Sequence, residues 1–177
     1  YDWLVLMDDF SPLLPGRSEL LRCPSENTIL LTSEPASVTH YGKAFAAQFA
    51  YVMTNQGEAA LPHSNAIRSQ TGNVWYYGKS YEQLIQERPP EKTKPISTLC
   101  SAKQQKHTMH AKRYEFTQAL KAKLPELEIF GHGVRYIEKK HEALDSYKFH
   151  LVIENHIGPD VLSVILADAF LGYTVQI

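Results

Sequence analysis

The sequence predicts an α/β protein made of two doubly wound domains, the second of them incomplete. Three observations carry that expectation. Short apolar, β-branched runs alternate with helix-like stretches, as parallel strands do when crossovers join them. Several runs stop at polar residues, which is how a buried parallel strand ends at the edge where α/β sheets bind ligands. A charged, proline-rich stretch from Arg88 to Pro95, devoid of large apolar residues, interrupts the series and reads as a linker. The expected organisation is a first domain over residues 1–88, a linker over 89–95 and a second domain over 96–177.

In chain order, Tyr1 to Met7 reads as a short buried strand closed by Asp8 and Asp9, two solvated carboxylates with no third metal ligand near in sequence. Ser11 to Arg17 is a proline- and glycine-marked loop, and Ser18 to Arg22 has room for one helical turn. Thr28 to Thr32 is the second strand, running into Ser33, Glu34 and Pro35. Val38, Tyr41, Phe45 and Phe49 are spaced for a helix over 37–48, and Ala50 to Thr54 is a third strand. No period is visible from Asn55 to Thr71, a long connection whose His63 and Arg68 read as surface polar residues or as groups facing a ligand. Trp75, Tyr76 and Tyr77 suit either core or a sugar-stacking platform, and Ser80 to Glu87 is a short helix.

Beyond the linker the alternation resumes. Ile96 to Cys100 is a strand, and a basic turn from Ser101 to His107 leads into a helix over 108–124, with Phe116, Leu120 and Leu124 on one face. Leu127 to Phe130 is the next strand, ended by Gly131-His132-Gly133, where glycines let the backbone approach a neighbour closely. A short helix over 137–144 precedes a strand over 149–153, expected to be covered on both faces, and a helix over 162–171 follows. The chain starts inside a strand-like segment and stops just after a helix, so it is expected to be part of something longer, chiefly at its C-terminal side.

Composition narrows the classes. With 177 residues, of which 44% are hydrophobic, the chain can bury a core, and a net charge of −1 provides no field for nucleic acid. Cys23 and Cys100 lack metal-ligand spacing and fit a reducing compartment. No apolar run approaches the roughly 20 residues that span a bilayer. No Gly-x-Gly-x-x-Gly or phosphate-loop motif is present, which disfavours ordinary dinucleotide and triphosphate folds.

Two places carry candidate chemistry. Lys103 and Lys106 precede a helix start, where unpaired N–H groups already favour an anion, and Arg113 lies deeper in that helix with a guanidinium able to hold two phosphate oxygens. Glu34 ends the second strand, where it could act as a general base or cap the next helix; spacing leaves both open.

The stretch Tyr147 to Asn155, with Pro159-Asp160 and Leu166 to Gly172, resembles the α-1,3-fucosyltransferase family, glycosyltransferase family 10, in its bacterial form. The resemblance runs through most of the chain and is most specific from Ser97 to Gly172. It implies two Rossmann-like domains of the GT-B type, an acceptor-side domain followed by a partial nucleotide-sugar domain. The implied activity is inverting transfer of fucose from GDP-fucose to a glycan hydroxyl. No metal or other cofactor would be required, and the implied location is cytoplasmic or membrane-peripheral. Glu34 would be the base, with Lys103, Lys106, Arg113, Glu154 and Asn155 at the donor. One segment departs from the family: where it has Thr-Glu-Lys opening a helix, this chain has Ser163, Val164 and Ile165. Hydrocarbon cannot replace charge-assisted hydrogen bonds worth roughly 1.5–3 kcal/mol each. A noncatalytic binding remnant, or a transferase using another nucleotide sugar, are the alternatives.

Overall fold

A computed structural model describes residues 2–9, 20–70, 75–105, 108–154 and 163–177. The protein is α/β, with two parallel sheets of four strands each. The chain divides into two compact units near residues 73 and 74.

In the first unit, β1 (Leu4–Met7), β2 (Thr28–Leu31), β3 (Tyr51–Thr54) and β4 (Ala66–Arg68) lie side by side in sequence order. One sheet face holds the core, in which Leu30 and Val52 pack with Tyr41, Ala46, Phe49 and Leu61, and Leu4 and Leu6 join from β1. Strand periodicity sends the alternate residues to the other face. Val5 and Met7 are there, in register through β2 with Tyr51, Met53 and Ile67. Val5 is 56% exposed, so β1 is an edge strand buried on one face only, not the fully buried strand that its continuous apolar run predicts. The helix expected over 37–48 contracts to α1 (Lys43–Ala46). Gly42 is its N-cap, and Val38, counted toward the helical face, is exposed. β4 falls inside the stretch read as a long connection.

The second unit begins ahead of the proline-rich stretch. Trp75 and Tyr76 are half exposed, whereas Tyr77 is buried against Leu144 and Ala169. α2 (Tyr81–Gln86) follows, its N-cap Ser80 and Gln83 forming a reciprocal capping box. Lys92 donates to the carbonyls of Leu144 (3.1 Å) and Gly172 (2.5 Å), and Lys94 and Pro95 are already in β5 (Lys94–Leu99). Much of the expected linker is therefore bonded into the second unit. The remaining elements are α3 (His110–Lys123), β6 (Leu127–Phe130), β7 (Tyr147–Leu151), α4 (Val164–Leu171) and β8 (Val175–Gln176), with a 3-10 turn at Lys140–Ala143 in place of the helix expected over 137–144.

The second sheet runs β6-β5-β7-β8. From β5 the chain passes to one side for β6 and then returns to the other for β7, so β5 and β7 are neighbours whose connections leave in opposite directions. On one face Ile96, Cys100, Leu127 and Ile129 pack against Tyr114, Leu120 and Leu124 of α3 and its end. Leu120 and Leu124 lie on the packed face as expected, but Phe116 is 53% exposed, and the buried positions of α3 are Arg113 and Thr117. β7 is not covered throughout: Lys148 and Phe149 are exposed and His150 is fully buried.

Candidate functional site

At the carboxyl edge of the first sheet, Asp8 follows β1 in the left-handed region, φ 61°, a conformation that aspartate tolerates better than most residues. Its carboxylate accepts the Ser33 backbone N–H at 2.7 Å, the Ser33 hydroxyl at 2.5 Å and the Tyr41 hydroxyl. Burial alone would raise its pKa, but these donors outweigh burial and hold the carboxyl below its ordinary range. Tyr41 is driven the other way, by burial first and then by the Asp8 charge. Asp8 thus ties the end of β1 to the end of β2, beyond the solvated role expected for it.

Glu34 comes next in the chain and is partly buried. No helix starts directly after it, since residues 36–38 form a turn. Its carbonyl accepts from Gln56 Nε2 at 2.9 Å, and the same nitrogen donates to Thr39 O at 3.0 Å. Gln56 is fixed in turn by Thr54 Oγ1, which accepts its N–H, and by Arg68 Nη1, which donates to its carbonyl at 2.6 Å. The Glu34 turn is therefore gripped through its backbone from β1 by Asp8 and from the end of β3 by Gln56. Arg68 also reaches Glu58 and the Leu61 carbonyl, and His63 Nε2 donates to the Phe49 carbonyl at 3.0 Å, so both residues read as ligand-facing candidates bond within their own unit.

At the carboxyl edge of the second sheet, Arg113 lies in the first turns of α3 and is 7% exposed. Nη2 donates to the Leu99 carbonyl at the end of β5, at 3.0 Å, and Nε has no partner among the described residues. Burial lowers its pKa, with Cys100 and Glu154 opposing. Glu154 lies past the end of β7, the neighbouring strand, and its Oε1 accepts the hydroxyl of Ser163 at 2.5 Å. Ser163 is the N-cap of α4, receiving Leu166 N–H, and Glu154 Oε2 is buried without a partner among the described residues. The chain thus brings a buried guanidinium and a carboxylate to the edge between β5 and β7, where its connections diverge, the usual ligand position in open α/β sheets.

Two glycines shape this edge. A Cβ on Gly131, φ 142°, would meet the Cys100 carbonyl oxygen at 2.7 Å, and one on Gly133, φ 77°, would meet Ala102 Cβ at 2.8 Å. The turn after β6 can therefore press onto the chain leaving β5, where Ala102 N–H donates to the His132 carbonyl. Lys103 is exposed in that loop. Lys106 and Asn155 lie outside the described residues. Val164 and Ile165 occupy the first turn of α4. Among the described residues no group of three or more His, Cys, Asp or Glu gathers as a metal site, and no helix is long and apolar enough to cross a membrane.

Sequence reasoning missed Asn55 and Gln56, which follow β3 and are both buried. A signal was available: like Glu34 and Glu154, they are polar residues placed within a few positions of the end of a parallel strand. No family model, no curated protein and no solved structure matches the chain.

Proposed function

We propose that the chain is part of a GT-B type glycosyltransferase of the α-1,3-fucosyltransferase kind, moving fucose from GDP-fucose to a glycan hydroxyl with inversion. The observation that carries this is Arg113, a desolvated guanidinium at the ligand edge of the second sheet with an N–H that has no partner among the described residues. Such a group suits a diphosphate, whose oxygens accept in the plane of the guanidinium.

In the proposed reaction the acceptor oxygen attacks the anomeric carbon, the bond from that carbon to the diphosphate breaks, and GDP leaves with the electron pair. Glu34 takes the acceptor proton as the new glycosidic bond forms. Arg113, with Lys103 or Lys106, stabilises the charge gathering on the diphosphate, and Glu154 and Asn155 hold the donor. The scheme requires no metal. The acceptor side is assigned to the first unit and the donor side to the second, with a cytoplasmic or membrane-peripheral setting.

One observation favours a second reading, a noncatalytic nucleotide-binding remnant. Val164 and Ile165 place hydrocarbon in the first turn of α4, where the family resemblance calls for a glutamate and a lysine. Calorimetric titration with GDP and GDP-fucose, beside a transfer assay, separates the two. The transferase reading expects binding and turnover, with Glu34→Gln abolishing turnover and sparing GDP binding. Binding without turnover supports the remnant, and turnover retained by Glu34→Gln removes the base assignment.

A further inference from the structure

Thr54, Asn55 and Gln56 end β3 and continue past it, and all three are buried, Asn55 at 4% exposure and Gln56 at 3%. Neighbouring groups account for Thr54, which accepts from Thr32 Oγ1 at 2.6 Å and from Gln56 N–H at 3.0 Å. They also account for the Gln56 amide nitrogen, which donates to Glu34 and Thr39. Asn55 is different. Neither its Nδ2 nor its Oδ1 has a hydrogen-bond partner among the described residues, and Gln56 Oε1 has none either.

A carboxamide removed from water and left without partners is unfavourable, and native folds keep few. Its position in the sheet gives it meaning. Gln56, the next residue, is bonded to the Glu34 carbonyl, and Thr32 N–H donates to the Met53 carbonyl at 2.9 Å, so the ends of β2 and β3 run together. Asn55 therefore sits beside the Glu34 strand end, on the edge where parallel sheets receive ligands.

The geometry points to Asn55 as a binding residue for a carbohydrate hydroxyl. An amide offers donors and an acceptor side by side, and a hydroxyl is the small uncharged group that both gives and takes a hydrogen bond. The two carboxamides carry no charge to offset that of an ionic ligand. The assignment rests on the reading that a sugar acceptor comes to this edge, whichever group takes its proton. Asn55 holds the acceptor and moves no proton.

The test compares thermal unfolding of the wild-type chain and Asn55→Leu, each with and without lactose as the probe. Asn55→Leu removes the amide at similar volume. It is expected to unfold at a higher temperature than wild type without sugar, as happens when a residue kept for binding is traded for packing. Lactose is expected to raise the wild-type midpoint and leave that of Asn55→Leu unchanged. A variant that melts below wild type means that the amide is satisfied inside the fold, by a buried water, and overturns the assignment. Equal lactose shifts in both chains, or none in wild type, overturn it as well. Should leucine prevent folding, the side-chain amide cross-peak of Asn55 in the wild-type spectrum decides: it moves with lactose if the residue binds and stays in place if it does not. Glu34→Gln in a transfer assay keeps the two assignments apart. If it retains transfer while Asn55→Leu loses the lactose response, the binding residue stands and the base falls.

Discussion

His150 gives the folded state a pH dependence that can be worked out from its hydrogen bonds. The residue is fully buried in β7, opposite Ser97 in β5. The Ser97 hydroxyl donates to the Ala143 carbonyl at 2.5 Å, so toward His150 Nδ1, 2.8 Å away, it can only accept. The imidazole is thus the neutral tautomer with its proton on Nδ1, and Nε2 is bare, with no partner among the described residues. A second proton would create a buried charge with nothing to receive it, and burial pushes the pKa down from 6.5 to about 4. The unfolded chain binds that proton near its ordinary pKa and the folded chain binds it only below about 4. Stability is therefore complete above the unfolded value and falls as pH drops through the window, by roughly 3 kcal/mol in all. The perturbation is His150→Asn, whose Nδ2 can still donate to Ser97 but cannot titrate. Urea unfolding of both chains from about pH 7 to about pH 4 should show the wild type losing that amount relative to the variant. Taking the difference removes the other titrating groups, including Asp168, whose pKa burial raises despite its ion pair with Lys140. A difference that stays flat to within about 1 kcal/mol across the window would refute the tautomer and the burial argument together.

Two further substitutions probe the second unit. Arg113→Met relieves a desolvated cation but strips the Leu99 carbonyl of its donor, so stability should change by no more than about 1 kcal/mol. GDP affinity by calorimetry should fall about tenfold to a hundredfold, from the loss of charge-assisted bonds worth roughly 1.5–3 kcal/mol; unchanged affinity would remove Arg113 from the donor site. Lys92→Met strips the carbonyls of Leu144 and Gly172 of a shared cationic donor. It should cost about 2 kcal/mol in urea unfolding, and a loss below about 0.5 kcal/mol would show that water replaces the ammonium without penalty.

The parallel strands were legible wherever an apolar run is also a buried strand, as in Ile29 to Leu31 and Leu127 to Phe130. β4 escaped because Asn65-Ala66-Ile67-Arg68 has little apolar character, with its one large apolar residue half exposed. The helix over 37–48 is over-read because Tyr41 joins the core from a stretch that is not helical, its ring packed with Leu30 and Val52 and its hydroxyl on Asp8, 33 residues away. Hydrophobic spacing finds Leu120 and Leu124 on α3 but takes the exposed Phe116 for core, because the rest of the buried face is built from Arg113 and Thr117, residues such spacing does not count. At the first sheet edge, Glu34 was visible as a carboxylate after a strand, while the partners that fix its turn come from other strand ends. Pairings of that kind emerge only once the strands are set in register.

The bonds made by Lys92 bear on where the chain can be cut. A proline-rich, charged stretch invites division for separate expression, yet any break between Arg88 and Pro95 would take Tyr77 and Leu84 away from Leu144 and Ala169, and one after Lys92 would also leave two carbonyls without their ammonium. The second half would carry an open seam, and the first would drag a loose apolar tail. A cut near residues 73 and 74 keeps the described residues of each hydrophobic core together.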